Sequence, residues 1–424
     1  MQYLSTRGQA PPVHLDEALT AGLAPDGGLY VPEALPLFTA GDFAAPGGLP
    51  ELAARFLAPF FVGSALAPQL EQICAQALSI PIRCARLVDG LQVLELFHGP
   101  TAAFKDFAAR FLAECMARLR HADAPLTTVL VATSGDTGAA VAAAFYRRPG
   151  FRVVILYPDG RVSPRQAHHL GAFGDNVLAC AVAGNFDDCQ ALVKQAFADQ
   201  ALRAAHPLAS ANSISLGRLL PQMAYYAWAA LQPDMSGQRW IIPTGNLGNA
   251  LAAILTQAMG LPLRSIVLAT NANPTLSEFL AGAAYQGRPS IATLANAMDV
   301  GAPSNAERLR HFFSDAELRE RFQAIAVDDL RIREQIRWAD TRYGYLACPH
   351  TACAFAVREQ LGDAGSTGDV LVATAHPAKF PEVVEPLICR SIAPPPALAT
   401  WLERPSAAVH LPNDAKALHA VLRS

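Results

Sequence analysis

Several features that define other classes of protein are missing from this sequence. The longest apolar runs, such as AAVAAAF, are too short to span a bilayer, and the first residues, MQYLSTRGQAPPVH, lack the apolar core of a signal peptide. A formal net charge of -3 provides no electrostatic attraction for nucleic acid or for an anionic membrane. We therefore expect a cytoplasmic protein whose partners are neither membranes nor nucleic acids.

Metal-binding and disulfide patterns are also missing. The eight cysteines are scattered, without a CxxC pair or a His-Cys ligand spacing, so we predict neither a metal site nor a disulfide framework. The 424 residues leave room for two or three domains. A hydrophobic fraction of 52% with a charged fraction of 16% is typical of a compact globular protein.

Lysine is scarce in this sequence. Only four of the 33 basic residues are lysines, namely Lys105, Lys194, Lys379 and Lys416. Arginine is charged at every accessible pH, whereas a lysine amine can deprotonate and attack a carbonyl. Lys194 and Lys416 lie in helix-like segments, where a solvated, charge-paired lysine is expected. Lys379 lies in a loop bounded by prolines, and the pattern there favours a loop-closing lysine over a reactive amine.

The order of strands and helices predicts an α/β fold. From about residue 86, short β-branched apolar runs alternate with Ala-rich helical segments, which is typical of a parallel sheet. We predict an N-terminal lobe over residues 1–85, a Lys105-bearing α/β domain with the smaller sheet over 86–232, and a second α/β domain over 233–424. Polar or glycine-rich turns follow four of the predicted strands, and these junctions are the candidate sites.

The first junction presents Lys105. A strand is predicted over 92–97 and a turn at Gly99 and Pro100, followed by a helix whose apolar residues recur every four positions, at Phe107, Phe111, Cys115 and Leu119. The dipole at a helix N-terminus disfavours an ammonium group. This segment leaves two interpretations open, a reactive amine or a helix-start lysine paired with Asp106.

The second junction follows the predicted strand TTVLVAT (127–133) and reads SGDTG at 134–138. Glycine permits a tight turn, and the N-H groups at the helix start, with the hydroxyls of Ser134 and Thr137, suit a carboxylate or a phosphate. A turn that is merely capped by a Ser or Asp side chain would have the same sequence, so both interpretations stay open.

The third junction, RWIIPTGNLGNALAAILTQAMG (239–260), combines a buried strand, a Gly-Asn turn and an Ala-rich helix. Gly245 and Gly248 let successive N-H groups converge, and the helix N-terminus adds positive potential. The segment has neither GK[ST] nor GxGxxG, so a nucleotide site is not supported. We favour an anion site suited to phosphate over a plain turn.

A helix with one basic residue is predicted over 212–231. Asn212 or Ser213 is the expected N-cap, because a short polar side chain can accept from first-turn N-H groups. Arg218 would then lie about one turn inside the helix. Pro221 predicts a kink or an early break, since proline removes a helical hydrogen bond.

The fourth junction ends the predicted strand DVLVATAHP (369–377), where Thr374 occupies the end at which parallel sheets bind ligands. A lysine that can form an imine, a phosphate cradle and a hydroxyl facing a pyridine nitrogen are the parts that hold a phosphorylated aldehyde cofactor. The predicted cofactor is therefore pyridoxal 5'-phosphate. Once released by the substrate amine, Lys105 would act as a general base.

The motifs, taken in order, resemble the threonine synthase family of the longer bacterial and fungal type, within the fold-type II pyridoxal phosphate enzymes. The similarity runs nearly end to end, through STRG (5–8), GLAPDGGLYVP (22–32), ELFHGPTAAFKDFA (95–108), ATSGDTG (132–138), NSISLGR (212–218), PTGNLGN (243–249), MDVGAPSNAERL (298–309), PHTA (349–352) and ATAHPAKF (373–380). It implies two lobes of mostly parallel sheet flanked by helices, with an N-terminal extension lobe.

The resemblance also implies roles for individual residues. Lys105 would be the catalytic Schiff-base lysine, and Thr374 would face the pyridine nitrogen. The cofactor phosphate would be held by Gly245, Asn246, Leu247, Gly248 and Asn249. The expected substrate-binding residues are Ser134, Asp136, Thr137, Asn212, Ser213 and Arg218.

The implied reaction converts O-phospho-L-homoserine and water to L-threonine and phosphate, the last step of threonine biosynthesis. Phosphate leaves from Cγ and water adds at Cβ. One alternative is another type II lyase, such as a serine or threonine dehydratase, which needs no second phosphate pocket. The other is a non-catalytic relative that binds the cofactor or a phosphorylated ligand.

The sequence departs from the family pattern at a few positions. The cradle reads GNLGN where relatives often have GNFGD, Cys348 replaces a frequent Asp before Pro349, and Ser215 replaces a frequent Asn. The glycines and the backbone donors of the cradle are kept, so cofactor binding should be retained.

Overall fold

The N-terminal lobe is a small helical unit closed by a two-stranded sheet. The structure, a computed structural model, describes residues 1–43, 47–88, 90–362 and 368–423. Strand β1 pairs antiparallel with β2, so that Tyr3 lies opposite Pro32. The elements of the lobe are β1 (Tyr3–Ser5), α1 (Leu15–Ala21), β2 (Tyr30–Pro32), α2 (Leu49–Leu57) and α3 (Leu70–Ala77).

The Lys105 junction forms as predicted. β3 (Arg83–Val88) and β4 (Leu91–Glu95) pair antiparallel, and α4 (Lys105–Leu119) begins at the lysine. Phe107, Phe111 and Cys115 are fully buried on one face of α4, as their four-residue spacing predicts. Leu119, at the end of the helix, is only half-buried.

The smaller sheet is entirely parallel. Among the described residues it has five strands in the order β13-β7-β6-β5-β8, where β13 (Val409–Leu411) comes from near the C-terminus. Its continuous apolar runs, such as Val129 to Ala132, are buried because helices cover both faces. The elements from this part of the chain are β5 (Thr127–Ala132), α5 (Asp136–Phe145), β6 (Phe151–Pro158), α6 (Pro164–Gly171), β7 (Val177–Val182), α7 (Phe186–Ala198), α8 (Gln200–Ala205) and β8 (Leu208–Ser210).

Helix α9 (Leu216–Ala230) corrects one expectation about the 212–231 segment, the identity of its N-cap. Its N-cap is Ser215, and neither Asn212 nor Ser213 is the cap. The helix also passes through Pro221 without an early break. Nearly every α9 side chain is buried, so packing outweighs the loss of one backbone hydrogen bond.

The larger sheet positions three of the four junctions. In the described residues its order is β11-β10-β9-β12-β4-β3, parallel throughout except for the β3-β4 hairpin. Its remaining strands and their helices are β9 (Arg239–Pro243), α10 (Gly248–Ala258), β10 (Ser265–Thr270), α11 (Thr275–Leu280), α12 (Ala306–Phe312), α13 (Asp315–Arg321), β11 (Gln323–Ala326), α14 (Asp329–Tyr343), α15 (Pro349–Leu361) and β12 (Asp369–Ala373).

The sheets do not divide as the sequence suggested. We placed the Lys105-bearing segment with the smaller sheet in 86–232, but β4 pairs with β12 in the larger sheet. Conversely, β13 lies in the 233–424 segment yet pairs with β7. Each sheet therefore recruits a distant strand, which hydrophobic patterns along the chain cannot reveal. The predicted boundary at 232 does not separate the two sheets.

The chain ends in a peripheral segment that contains α16 (Pro381–Ile388), α17 (Pro396–Leu402), β13 (Val409–Leu411) and α18 (Ala415–Arg423). Leu411, Leu418 and Leu422 bury against the smaller sheet, so this segment completes that sheet's core. Within the described ranges, no helix has the length and apolar character needed to cross a membrane.

A buried ion pair fixes the register of the two central strands. Arg239 on β9 lies opposite Asp369 on β12, and its Nε donates to Oδ1 of Asp369 over 2.7 Å. Arg358 of α15 reaches the other oxygen of the same carboxylate. The pair lies where both strands begin, and the candidate site lies where they end.

Replacing Asp369 with Ala should destabilise the protein by about 3–5 kcal/mol, because two arginines lose a buried carboxylate. Urea unfolding followed by circular dichroism measures the change. Asp234→Ala is the control, because its pair with Arg86 is exposed and should contribute at most about 1 kcal/mol. Equal effects of the two substitutions would contradict the assignment of Asp369 as the stabilising partner.

Candidate active site

Three loops of the larger sheet converge because their strands run parallel and adjacent. β12 lies between β4 and β9, so the chain after each strand emerges at the same edge. The Lys105 loop is bonded directly to the Thr374 segment, since Phe104 N-H donates to the Thr374 carbonyl (2.9 Å) and His376 N-H to that of Ala102 (3.0 Å). This pairing fixes the start of α4 beside the end of β12.

The cavity at this edge has a volume of about 950 Å³, within the range of small-molecule sites. It lies between the two sheets and is closed on one side by the N-terminal lobe. Every residue that the sequence singled out as a site residue lines it: Lys105, Ser134, Asp136, Thr137, Asn212, Ser213, Arg218, Gly245, Asn246, Leu247, Gly248, Asn249 and Thr374. Residues from all four junctions therefore line one cavity.

The partner of Lys105 is not its sequence neighbour. Asp106 turns away and accepts from the Thr101 N-H (2.9 Å) and the Thr101 hydroxyl (2.6 Å). Lys105 Nζ instead lies 3.7 Å from Asp136 Oδ2 and 4.9 Å from the Phe104 ring centroid. Burial lowers the pKa of Lys105, and Asp136 opposes this shift. The helix-start pairing with Asp106 is therefore wrong.

The SGDTG loop is a tight turn at the end of β5. Gly135 adopts φ +123°, and a Cβ there would lie 2.6 Å from the Gln166 side chain, so glycine is required. The Thr133 hydroxyl accepts from the N-H groups of Gly135 and Gly138, which holds the loop open towards the cavity. Ser134 and Thr137 are half-buried on the cavity wall.

The Gly-Asn turn forms a cradle at the N-terminus of α10, an eleven-residue helix. A Cβ on Gly245 would lie 2.6 Å from the Met298 backbone, so glycine allows that close approach. Leu247 adopts the left-handed conformation with φ 63°, a strained state that is common at ligand sites. The turn therefore brings backbone N-H groups together at the positive end of a helix dipole.

Asn246 joins the cradle to two other motifs. Its side chain donates to the Ser213 hydroxyl and accepts from the Ser304 N-H (2.6 Å), and its carbonyl accepts from Asn305 (3.0 Å). These bonds connect the cradle to the segments around 212–218 and 298–309.

Arg308 extends this network to the N-terminal lobe. Its fully buried guanidinium donates to the carbonyl of Tyr30 (3.0 Å), to the carbonyl of Ile214 (2.6 Å) and to the Asn305 side chain (2.9 Å). Burial lowers its pKa to about 9. The N-terminal segments that would be plain turns in isolation therefore form one wall of the site.

Arg218 is the cation buried in the cavity wall. It donates to the Ala211 carbonyl (2.6 Å), whereas its Nε has no partner within the described structure. Burial lowers its pKa to about 10, so it stays charged at neutral pH. Nearby, Asn212 donates to the Ala132 carbonyl, and its Oδ1 is likewise unpaired in that part of the chain. These atoms are available to a ligand.

The residues present fit pyridoxal phosphate. The Tyr226 hydroxyl donates to Asn249 Oδ1, which leaves the buried Nδ2 of Asn249 as a donor without a partner among the described residues. That donor lies in the cradle, where the predicted phosphate needs one. The Lys105 amine and the Thr374 hydroxyl line the same cavity. The cavity therefore offers an amine for the aldehyde, hydrogen-bond donors for the phosphate and a hydroxyl for the pyridine nitrogen.

Two functional candidates escaped the sequence analysis. Lys379, which the sequence favoured as a loop-closing residue, is buried and lies 2.7 Å from Asp136 Oδ1. The scarcity of lysine was the available signal. His350 lines the cavity from the start of α15, and the motif PHTA at 349–352 is its signal in the sequence.

The tautomer of His350 follows from its contacts. Its Nε2 accepts from the Ala297 N-H (3.1 Å), so in the neutral ring the proton is on Nδ1, beside Cys348 Sγ. Burial lowers its pKa to about 4, Asp136 opposes the shift, and Lys105 and Lys379 add to it. His350 therefore anchors the 297–304 loop as a neutral acceptor.

Comparison with known proteins agrees with this geometry. A family model described as pyridoxal-phosphate dependent enzyme matches residues 82–376. Models for the threonine synthase N terminus and C-terminal region match residues 2–78 and 351–422. The fold and the site thus define a pyridoxal phosphate-dependent enzyme, which confirms the predicted cofactor and fold class.

Relatives and solved structures specify the family. The chain is 40% identical to threonine synthase of Serratia marcescens, covering 94% of both chains, and 40% identical to that of Escherichia coli, covering 97% of this chain and 96% of the relative. The Escherichia coli structure superposes with a TM-score of 0.92 at 37% identity, covering 100% of this chain and 99% of the other. A pyridoxal phosphate-bound threonine synthase from Brucella melitensis gives 0.89 at 36%, with the same coverage. The chain belongs to the threonine synthase family, as its motifs predicted.

His350 should make stability depend on pH. Its pKa is about 4 in the folded protein, whereas the pKa of an unperturbed histidine is 6.5. The contribution of the neutral His350 to the free energy of unfolding is therefore present above pH 6.5 and is lost as the pH falls towards 4. When the pH is lowered from about 7.5 to about 4.5, the free energy of unfolding should fall in both proteins. The fall should be smaller by about 2–3 kcal/mol in the His350→Gln variant than in the unsubstituted protein. Urea titrations at both pH values measure this, with His121→Gln, at an exposed histidine, as control. Identical losses for the two variants would contradict the burial of a neutral His350.

Proposed function

We propose that this chain converts O-phospho-L-homoserine and water to L-threonine and phosphate, with Lys105 as the cofactor-bearing lysine. The observation that carries the proposal is one shared cavity, which is lined by Lys105, by the Gly245–Asn249 cradle and by the buried Arg218. A phosphorylated cofactor and a phosphorylated substrate together need two anion sites.

Pyridoxal phosphate supplies an aldehyde that bonds to amines and a pyridine ring that withdraws electrons from the carbon beside the substrate amine. The Lys105 amine is the nucleophile for that aldehyde. When free, it is the base that removes the Cα and Cβ protons of the substrate. Burial favours its uncharged form, which both roles require.

The cradle would hold the cofactor phosphate by charge and by hydrogen bonds. The N-terminus of α10 directs backbone N-H groups and the positive end of its dipole at the anion, and Asn249 Nδ2 adds a side-chain donor. The Thr374 hydroxyl would be the group that faces the pyridine nitrogen. A neutral hydroxyl, unlike a carboxylate, leaves that nitrogen largely unprotonated.

The second pocket binds the substrate. Ser134 and Thr137 offer hydroxyls and helix N-H groups, and Asn212, Ser213 and Arg218 line the same cavity. Arg218 stabilises the charge that the phosphate gains as it leaves Cγ. Asp136 was expected to bind substrate, but its carboxylate is already bonded by Lys379 and Gln166 (2.9 Å). We therefore propose that Asp136 acts on the amine of Lys105.

The alternatives are not favoured. A solved fungal L-serine ammonia-lyase shares only the fold, at 13% identity with a TM-score of 0.55 over 70% of this chain. A non-catalytic relative would not need the Lys105 amine. We also propose that the protein acts in the cytoplasm.

A substrate assay tests the proposed reaction. Purified protein with pyridoxal phosphate should release phosphate and form threonine from O-phospho-L-homoserine in equal amounts. The Lys105→Ala variant should lose both products and the absorbance band of the lysine-bound cofactor, because no other lysine replaces its amine. Borohydride reduction followed by peptide mass analysis should find the cofactor on Lys105.

Other outcomes of these experiments would overturn the proposal. Phosphate release from O-phosphoserine, or ammonia release from threonine, with phosphohomoserine inert would favour another lyase. Cofactor attached to Lys379 after reduction would reassign the lysine.

Arg218→Lys should lower kcat/KM for O-phospho-L-homoserine by about 100-fold, because a compact ammonium cannot reproduce the donors of the guanidinium. The cofactor absorbance should be unchanged. Arg120→Lys is the matched control, because Arg120 also donates to backbone carbonyls but lies outside the cavity. An unchanged kcat/KM for Arg218→Lys would remove Arg218 from the substrate site.

A further inference from the structure

Lys379 is a buried cation to which neither cofactor nor substrate binding assigns a role. Its side chain is 2% exposed, and Nζ lies 2.7 Å from Asp136 Oδ1 and 2.8 Å from the Thr101 carbonyl. It does not line the cavity, so it acts on the site through Asp136.

The two oxygens of Asp136 are divided unequally between two amines. Oδ1 is bonded by Lys379 and by Gln166 Nε2, whereas Oδ2 is 3.7 Å from Lys105. That distance is longer than a hydrogen bond. Lys379 therefore holds the carboxylate tightly, and Lys105 has only a loose ionic contact.

Charged and titratable groups from several elements face this cluster. Lys105 is faced by Asp136 of α5, Lys379, Arg218 of α9 and His350 of α15. Asp106 of α4 and His169 of α6 face the Lys379 side of the cluster. Among these groups, the nearby cations disfavour a charged Lys105 amine, and Asp136 favours it.

We propose that Lys379 is a positioning residue for the reaction, which orients and neutralises Asp136 so that the Lys105 amine stays free to act as a nucleophile and a base. The inference rests on the proposed role of Lys105. It predicts the direction in which Lys105 changes when Lys379 is replaced.

Removing the charge of Lys379 eliminates a neighbouring cation and leaves Lys105 as the remaining lysine partner of Asp136. Both changes favour the ammonium form of Lys105. The pH at which the Lys105 amine becomes reactive should therefore rise, and less free amine should be present at neutral pH.

The contacts of Lys379 also join the two sheets. Asp136 follows β5 of the smaller sheet, and Lys379 follows β12 of the larger one. Beside them, Arg165 donates to the Ala378 carbonyl and Ser163 to the Lys379 carbonyl (3.2 Å). The Asp136 carboxylate is thus held from both sides of the cleft.

The test is competitive acetylation of the cofactor-free, full-length protein across a pH series, with peptide mass analysis of Lys105. Lys379→Met should raise the midpoint for Lys105 labelling by at least about 1 pH unit, which is a tenfold loss of free amine below the midpoint. Lys416→Met, at an exposed lysine, should leave it unchanged. Lys379→Arg, which keeps the charge, should shift it by less than Lys379→Met.

Lys379→Gln separates charge from packing, because its amide can replace both hydrogen bonds without a charge. It should raise the midpoint as Lys379→Met does, and it decides the test if the Met variant does not fold. An unshifted midpoint in the folded variants would overturn the inference. The acetylation measurement needs no cofactor. If Lys105 is not the cofactor-bearing lysine, the Lys105→Ala variant will keep its absorbance band, and this result is separate from the labelling midpoint.

Discussion

The parallel pairing of β12 between β4 and β9 is the constraint on which the site depends. These strands begin at residues 91, 239 and 369, yet they lie side by side, so the loops that follow them meet at one edge. The ion pair of Arg239 and Asp369 fixes the register at the opposite ends of β9 and β12. The backbone bonds from Phe104 to Thr374 and from His376 to Ala102 then fix the start of α4, where Lys105 lies, beside the end of β12.

The electrostatic potential at this edge is positive because few anionic side chains lie there. Asp136 faces two lysines, and the buried Arg218 is close enough to add to the positive potential. Such a field attracts the two phosphate groups of the proposed reaction and resists protonation of the amine. The same arrangement explains why Asp136, although it lies within the SGDTG loop, serves the lysines through its side chain and leaves the loop's hydroxyls and N-H groups to the ligand.

Sequence reasoning succeeded where the signal was local. The starts of α4, α5 and α10 and the buried face of α4 were all readable, because each depends on residues within a few positions. It failed where the deciding contacts were distant. The contact of Lys379 with Asp136 spans more than two hundred positions and the pairing of Lys105 with Asp136 spans thirty-one, so no local pattern could predict them.

The sequence by itself determined the α/β class, the cofactor and the family, since glycine turns, helix starts and ordered motifs are properties of short segments. Only the tertiary structure decided which strands share a sheet, which carboxylate faces Lys105, that Lys379 contacts this carboxylate, and that His350 lines the cavity. The physical reason is that strand order and burial are set by packing of segments hundreds of residues apart, and the charge state of a buried amine depends on the neighbours that this packing brings to it.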